Sequence, residues 1–174
     1  MKLVRNIVFI VLLVFSFNSK LLADTPHFVD FKFILNESTA GKKAQDFLKN
    51  KLNNGIKNLK NLEKNIQEEE KKIIQQKKVL SAEEYKSKVT KLRSKVASLQ
   101  KKRSELYKNV ADQRSKARNE LLKNLNPVIQ EYMKKNNIRM VIDKKSILLA
   151  DEKLDLTKEI IEILNKKLTS IKLK

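Results

Sequence analysis

The chain has 174 residues, with 39 Lys/Arg against 20 Asp/Glu, two Gly, two Pro, one His and neither Cys nor Trp. Such a composition excludes a disulfide scaffold and a cysteine-ligated metal or redox centre, and it favours long helices over a large globular core. The net charge of +19 points to anionic partners.

Residues 1–23 differ from the rest. Lys2 and Arg5 precede an apolar run from Ile7 to Phe17, and Leu21-Leu22-Ala23 ends in a small residue. A basic start, an apolar stretch of this length and a small residue at the cut predict a secretory signal peptide, cleaved between Ala23 and Asp24. The alternative, a membrane anchor, needs about 20 apolar residues. Export would place the chain in the periplasm with 36 basic and 20 acidic residues, a net +16. Nucleic acid, the usual partner of so basic a chain, is not expected there. Envelope lipids, lipopolysaccharide and acidic proteins are the anions at hand.

Residues 24–40 read as the N-terminal part of a small body, with HFVDF (27–31) as a strand and FILNES as a short helix or turn. Residues 41–136 read as one basic helical hairpin. Leu52, Leu59, Ile66, Ile73 and Leu80 form a strict seven-residue repeat, and Tyr85, Leu92, Leu99 and Leu106, joined by Val89, Val96 and Val110, form a second. Such heptads mark a coiled-coil seam. The two repeats mirror each other about a point between residues 82 and 83, which one continuous helix would not explain. The reflection predicts an antiparallel pair with arms of about 60 and 80 Å. Residues 42–135 carry 26 Lys/Arg against 11 Asp/Glu, far from the sign alternation of a neutral coiled coil.

Ser81 followed by Glu84 is a capping box at the predicted fold point, near 81–84. Lys71, Lys72, Lys77, Lys78, Lys86 and Lys88 cluster around it and are the candidate contacts for a client or an anionic surface. Glu70 and Lys77 interrupt the second apolar series, so the seam should be thin and the arm flexible toward its end. Pro127 is expected to kink or restart the returning helix.

Residues 137–174 read as the C-terminal part of the body. Asn136-Asn137 break the helix, RMVID (139–143) and SILLA (146–150) read as strands joined by Asp143-Lys144-Lys145, and a helix begins with Asp155 as its N-cap. The fold class is thus α+β, mostly α. Three short strands and one helix would leave sheet edges open, which argues for a homo-oligomer. The catalytic inventory is empty: His27 reads as a surface or body residue, AGKK (40–43) lacks the rest of a phosphate loop, and Glu68-Glu69-Glu70 is followed by pairing lysines. No catalytic, metal or cofactor site is expected.

VDFKFILNESTAGKKAQ (29–45) and NNIRMVIDKKSILLADEKLDLTKEIIEILNKKL (136–168), flanking a basic hairpin behind a signal peptide, resemble the Skp (OmpH-like) family of periplasmic chaperones. Leu149 stands where that family often has Tyr. The resemblance implies a homotrimer with a β body built from all three chains. Its helical arms would enclose unfolded outer-membrane β-barrel proteins without nucleotide. Lipopolysaccharide and anionic phospholipid surfaces are further partners linked to the family. The competing reading is an envelope coiled coil that binds anionic lipid and has no chaperone activity. A histone-like nucleic-acid binder would require the chain to stay inside the cell.

Overall fold

The computed structural model describes residues 25–174; the predicted signal peptide lies outside them. The elements are β1 (His27–Val29), α1 (Phe31–Glu37), α2 (Thr39–Gln76), α3 (Ala82–Lys135), β2 (Val141–Asp143) and α4 (Thr157–Lys167). The long helices α2 and α3 form the predicted antiparallel hairpin.

Three pairs fix its register. Lys88 Nζ donates to Gln76 Oε1 at 2.8 Å, Lys95 Nζ pairs with Glu69 at 2.5 Å, and an Arg103 nitrogen lies 3.6 Å from Glu63. Their sequence midpoints are residues 82, 82 and 83, at the reflection point of the heptads. Leu59, Ile73, Leu99 and Val110 are buried along the seam, and Leu52, Ile66, Leu80, Tyr85, Leu92 and Leu106 are half-buried. Val96 departs from its predicted place in the seam and is 42% exposed. The opposing stretch of α2 is Glu68-Glu69-Glu70, so the Lys95–Glu69 pair replaces an apolar contact there.

Toward the body, two glycines of α2 sit under close neighbours. Gly41 is forced by a close approach: a Cβ there would lie 2.0 Å from the Leu35 carbonyl oxygen. Ser38, fully buried, caps α2 by accepting from the Gly41 N–H at 3.2 Å. Farther out, Leu106 folds over Gly55, where a Cβ would meet its methyl groups at 2.5 and 2.6 Å. Helix α3 runs without a break through Pro127, so of the expected kink or restart the restart does not occur. Val128, Ile129 and Leu125 around the proline are buried in the body core, and that packing holds the helix across the missing N–H. Asn137 ends α3 with φ 54°, and Ile138 N–H returns to the Met133 carbonyl at 2.9 Å, closing the helix in a left-handed cap.

The body core joins both ends of the sequence. Val29, Ile34, Ala40, Leu125, Leu156, Ile160 and Leu164 form one buried cluster with Leu121 and Val128 of α3. β1 and β2 pair in parallel, Phe28 opposite Ile142. Both strands are shorter than predicted. Asp30 turns HFVDF into a helix start by accepting from Phe33 N–H at 2.8 Å. Asp155 accepts from Thr157 N–H at 2.9 Å and from its hydroxyl, one position before the formal cap Leu156. The same Thr157 oxygen accepts from Asp30 N–H at 2.9 Å, tying β1 to the start of α4.

SILLA is not a strand here. Asp143 caps a 3-10 turn over Lys144–Ser146, and residues 147–151 carry no regular structure. A strand needs a partner edge, and residues 147–151 pair with neither outer edge of the β1–β2 sheet; the outer edge of β1 is met instead by an isolated bridge from Phe28 to Asp155. Leu148 and Leu149 are consequently 95% and 91% exposed.

Candidate binding surface

The hairpin tip is built from the end of α2, a five-residue turn and the first turns of α3. The turn precedes the reflection point and occupies 77–81, because Ser81 is itself the N-cap of α3. Leu80 N–H and Val79 N–H both return to the Gln76 carbonyl, at 3.1 and 3.0 Å, closing α2. Glu84 N–H donates to Ser81 Oγ at 3.2 Å, and Glu84 Oε2 accepts from Ser81 N–H at 3.0 Å and from its hydroxyl at 2.9 Å. The Ser81 N–H and then its hydroxyl hold the Glu84 carboxyl below its ordinary range; desolvation opposes them, and the Lys88 charge adds the least.

This arrangement decides where the tip lysines stand. Lys71 and Lys72 are exposed on the last turns of α2, Lys77 and Lys78 are exposed in the turn, Lys86 is exposed on α3 and Lys88 is half-buried. Lys77 Nζ sits 5.8 Å from the centre of the Tyr85 ring, and Lys88 reaches back to Gln76. Lysines around the carbonyl end of α2 and Glu83 and Glu84 in the first turn of α3 both complement the helix dipoles.

Sequence periodicity missed the apolar part of this surface. Val79 is 82% and Ile74 61% exposed, each beside a seam residue, Leu80 and Ile73. They lie off the repeat, which was the available signal: an apolar residue next to a heptad position on a helix faces solvent. With Tyr107 and Val96 also exposed, the arm presents isolated apolar side chains among lysines. A depression of about 290 Å³ opens midway along it, lined by Leu62, Ile66 and Leu99 with Lys95 and Lys102.

A second surface lies on the body. Phe28, Phe33, Ile147, Leu148 and Leu149 line an open hollow of about 680 Å³ with Lys144 and Asp155 at its edge. Phe33 and Met140 are largely exposed as well. Among the described residues no helix is long and apolar enough to cross a membrane, and no group of three or more acidic or histidine side chains could hold a metal ion. His27 begins β1, and its Nδ1 is buried with no hydrogen-bond partner among the described residues.

The geometry defines a body-and-arm protein, with a small mixed core from which one basic helical hairpin projects. The chain belongs to the OmpH-like family: the family model described as outer membrane protein (OmpH-like) matches residues 27–164. A crystal structure from Caulobacter crescentus CB15, described as a candidate outer membrane chaperone (OmpH-like), superposes with a TM-score of 0.81 at 18% identity. The match covers 86% of this chain and 90% of that one, and it establishes the shared fold. Among curated proteins none matches the sequence.

Proposed function

We propose that this protein is an ATP-independent periplasmic holdase. It binds unfolded outer-membrane β-barrel proteins in a cavity between the basic arms of a homotrimer and keeps them from aggregating in transit. It is not an enzyme, and it takes no cofactor. Membership of the OmpH-like family supports a chaperone role in general. The observation that carries the finer reading is the arm, where exposed Val79 and Ile74 stand among Lys71, Lys72, Lys77, Lys78 and Lys86. Isolated apolar side chains bind unfolded chains weakly and without sequence preference. The surrounding charge raises the rate of encounter with acidic clients or anionic surfaces. Assembly is supported by the nearly bare Leu148 and Leu149, which a three-chain body would cover.

The test is suppression of light scattering by an unfolded outer-membrane β-barrel protein diluted from denaturant. The protein should suppress it, and less well as salt shortens the Debye length below about 8–10 Å. Changing the six tip lysines to glutamine should weaken capture at low salt. Tight binding to anionic vesicles or lipopolysaccharide with no suppression of scattering would mark the chain instead as an envelope lipid-binding coiled coil. An N-terminus of the native protein near Asp24 would establish export.

A further inference from the structure

The root of the arm carries an open groove of about 650 Å³, lined by α1, α2 and α3 alone. Its floor is aliphatic: Leu48 of α2 and Val110 and Leu121 of α3 are buried, and Leu35 and Leu52 are half-buried. Asn36 Oδ1 accepts from Gln45 Nε2 at 3.0 Å and bounds the end beside α1. On the other flank of the root, Lys174 N–H donates to Gln113 Oε1 at 2.9 Å and a Lys174 oxygen accepts from Lys51 Nζ. Residues 168–174 therefore leave the groove uncovered.

Lys49 stands on the α2 wall, and Arg114 and Arg118, one turn apart, stand on the α3 wall. All three are exposed, and among the described residues their side chains have no ion-pair or hydrogen-bond partner. Asp46 shares the rim and is likewise unpaired, so an anion there meets a net excess of positive charge. Shape narrows the occupant. Val110 and Leu121 lie about three turns, or about 17 Å, apart on α3. An acyl chain spans half the hydrocarbon core of a bilayer, about 15 Å. A volume of about 650 Å³ over that length gives a mean section of about 40 Å², at most half that of a helix about 10–12 Å across. An extended peptide fits no better, because the helical walls bond their own N–H and C=O groups and offer its backbone none. A hydrocarbon chain has no such groups to satisfy.

We propose that this groove binds a single-chain anionic amphiphile, a fatty-acid carboxylate, with its hydrocarbon on Leu48, Leu52, Val110 and Leu121 and its head on Lys49, Arg114 and Arg118. The three cations ride on long apolar stems, which cover the chain while their charged ends turn to the head group. The site is separate from the tip lysines and does not rest on the holdase reading.

The test is fluorescence titration of the full chain with cis-parinaric acid below its micelle concentration, with methyl NMR on the same protein. Binding should saturate and shift the Leu52 and Val110 methyls while leaving those of Val79 and Ile74 in place. Dodecanoate should displace the probe about tenfold better than dodecanol, the factor carried by a hydrogen bond to a charged group. Lys49→Gln/Arg114→Gln/Arg118→Gln should weaken probe binding by about tenfold or more on the same grounds, with helicity unchanged. Asp46→Asn should tighten it, and glutamine at the six tip lysines should leave it as it was. No saturable binding, equal displacement by dodecanol and dodecanoate, or full affinity in the triple variant overturns the site. Binding lost with the tip lysines overturns it too, since the anion would then sit at the tip. Groove methyls that move with an unfolded β-barrel protein, an acidic peptide or lipopolysaccharide, and stay still with the free acid, overturn the choice of ligand.

Discussion

Replacing Leu148 and Leu149 together with serine tests whether the bare body surface is an assembly face. In the single chain these side chains are 95% and 91% exposed, so their loss removes almost no intrachain packing. The change in monomer stability should stay within about 0.5 kcal/mol, as for surface positions generally, and helicity should be unaltered. Assembly would place them in a different environment. Burying a leucine that was free in solvent contributes about 1.5–3 kcal/mol, and nearly the whole of that is still available at both positions. Two per protomer amount to about 3–6 kcal/mol, or roughly two to four decades in the association constant for each chain added. The assay is molar mass by light scattering across a dilution series, with circular dichroism on the same samples. The parent should hold three chain masses down to concentrations where the altered protein has fallen to one. A parent that runs as a single chain would refute the reasoning, and so would an altered protein that keeps the parent's mass throughout. The second result would mean that the two leucines face solvent in the assembly as well.

Gly41→Ala should cost about 2–3 kcal/mol, because its Cβ meets a backbone oxygen at 2.0 Å; that is a melting-temperature fall of about 4–12 °C. Gly55→Ala should cost much less, since the Leu106 methyls can turn away and alanine favours helix by about 1 kcal/mol; equal losses at the two sites would contradict the packing described. Hydrogen exchange at residues 82–85 should report the pH response of the tip. The Glu84 carboxyl titrates below its reference value of 4.5 in the folded arm, so its capping contribution is complete above that pH and disappears as pH falls through the lowered value. Protection that stays constant down to the acid limb, or rises there, would show that the capping box does not hold the turn. Carbodiimide treatment should join Glu69 to Lys95, paired at 2.5 Å, within one chain; mixed isotopic labelling that finds only interchain products would favour a parallel coiled coil.

The hairpin was legible because its evidence is periodic and long. Leu59, Ile73 and Leu99 repeat at a helical spacing, and the capping box at Ser81 supplies local hydrogen-bond chemistry that needs no distant partner. The body was harder to read for the opposite reason. Ile147-Leu148-Leu149 has the composition of a strand, yet a strand exists only when another edge accepts it, and in the single chain this segment pairs with neither outer edge of the β1–β2 sheet. Asp30 shows a different limit. As part of HFVDF it sits in an apolar alternation, but its carboxylate captures Phe33 N–H and starts α1 two residues early. Val96 fits the repeat and still faces solvent, because a heptad names a face without naming what stands opposite. The course of residues 168–174 could not be read at all: Ile171 and Leu173 are too few to show a period, and their anchors lie far away in sequence on both arms.

The distribution of interactions follows from these differences. The body is welded by bonds that connect remote parts of the chain, such as Asp30 with Thr157 and Thr39 with Asn165 at 2.7 Å, around fully buried Ile34, Ile160 and Leu164. The arm beyond Leu59 has a narrow apolar seam, and its cross-links are exposed ion pairs such as Lys95–Glu69 and Arg103–Glu63, worth about 0–1 kcal/mol each. Local opening therefore begins at the tip and costs little there, while the root stays closed. Positive charge has opposite consequences at the two ends. Near the tip the clustered lysines stand mostly in solvent, which screens them, so repulsion loosens the helices slightly while leaving Val79 and Ile74 available. At the root, Ala44 and Leu48 of α2 and Ala117 and Leu121 of α3 are buried, and apolar packing outweighs the same repulsion. On the holdase reading, an arm that accepts many unrelated chains needs a soft outer half, and a firm root lets it soften there without coming apart.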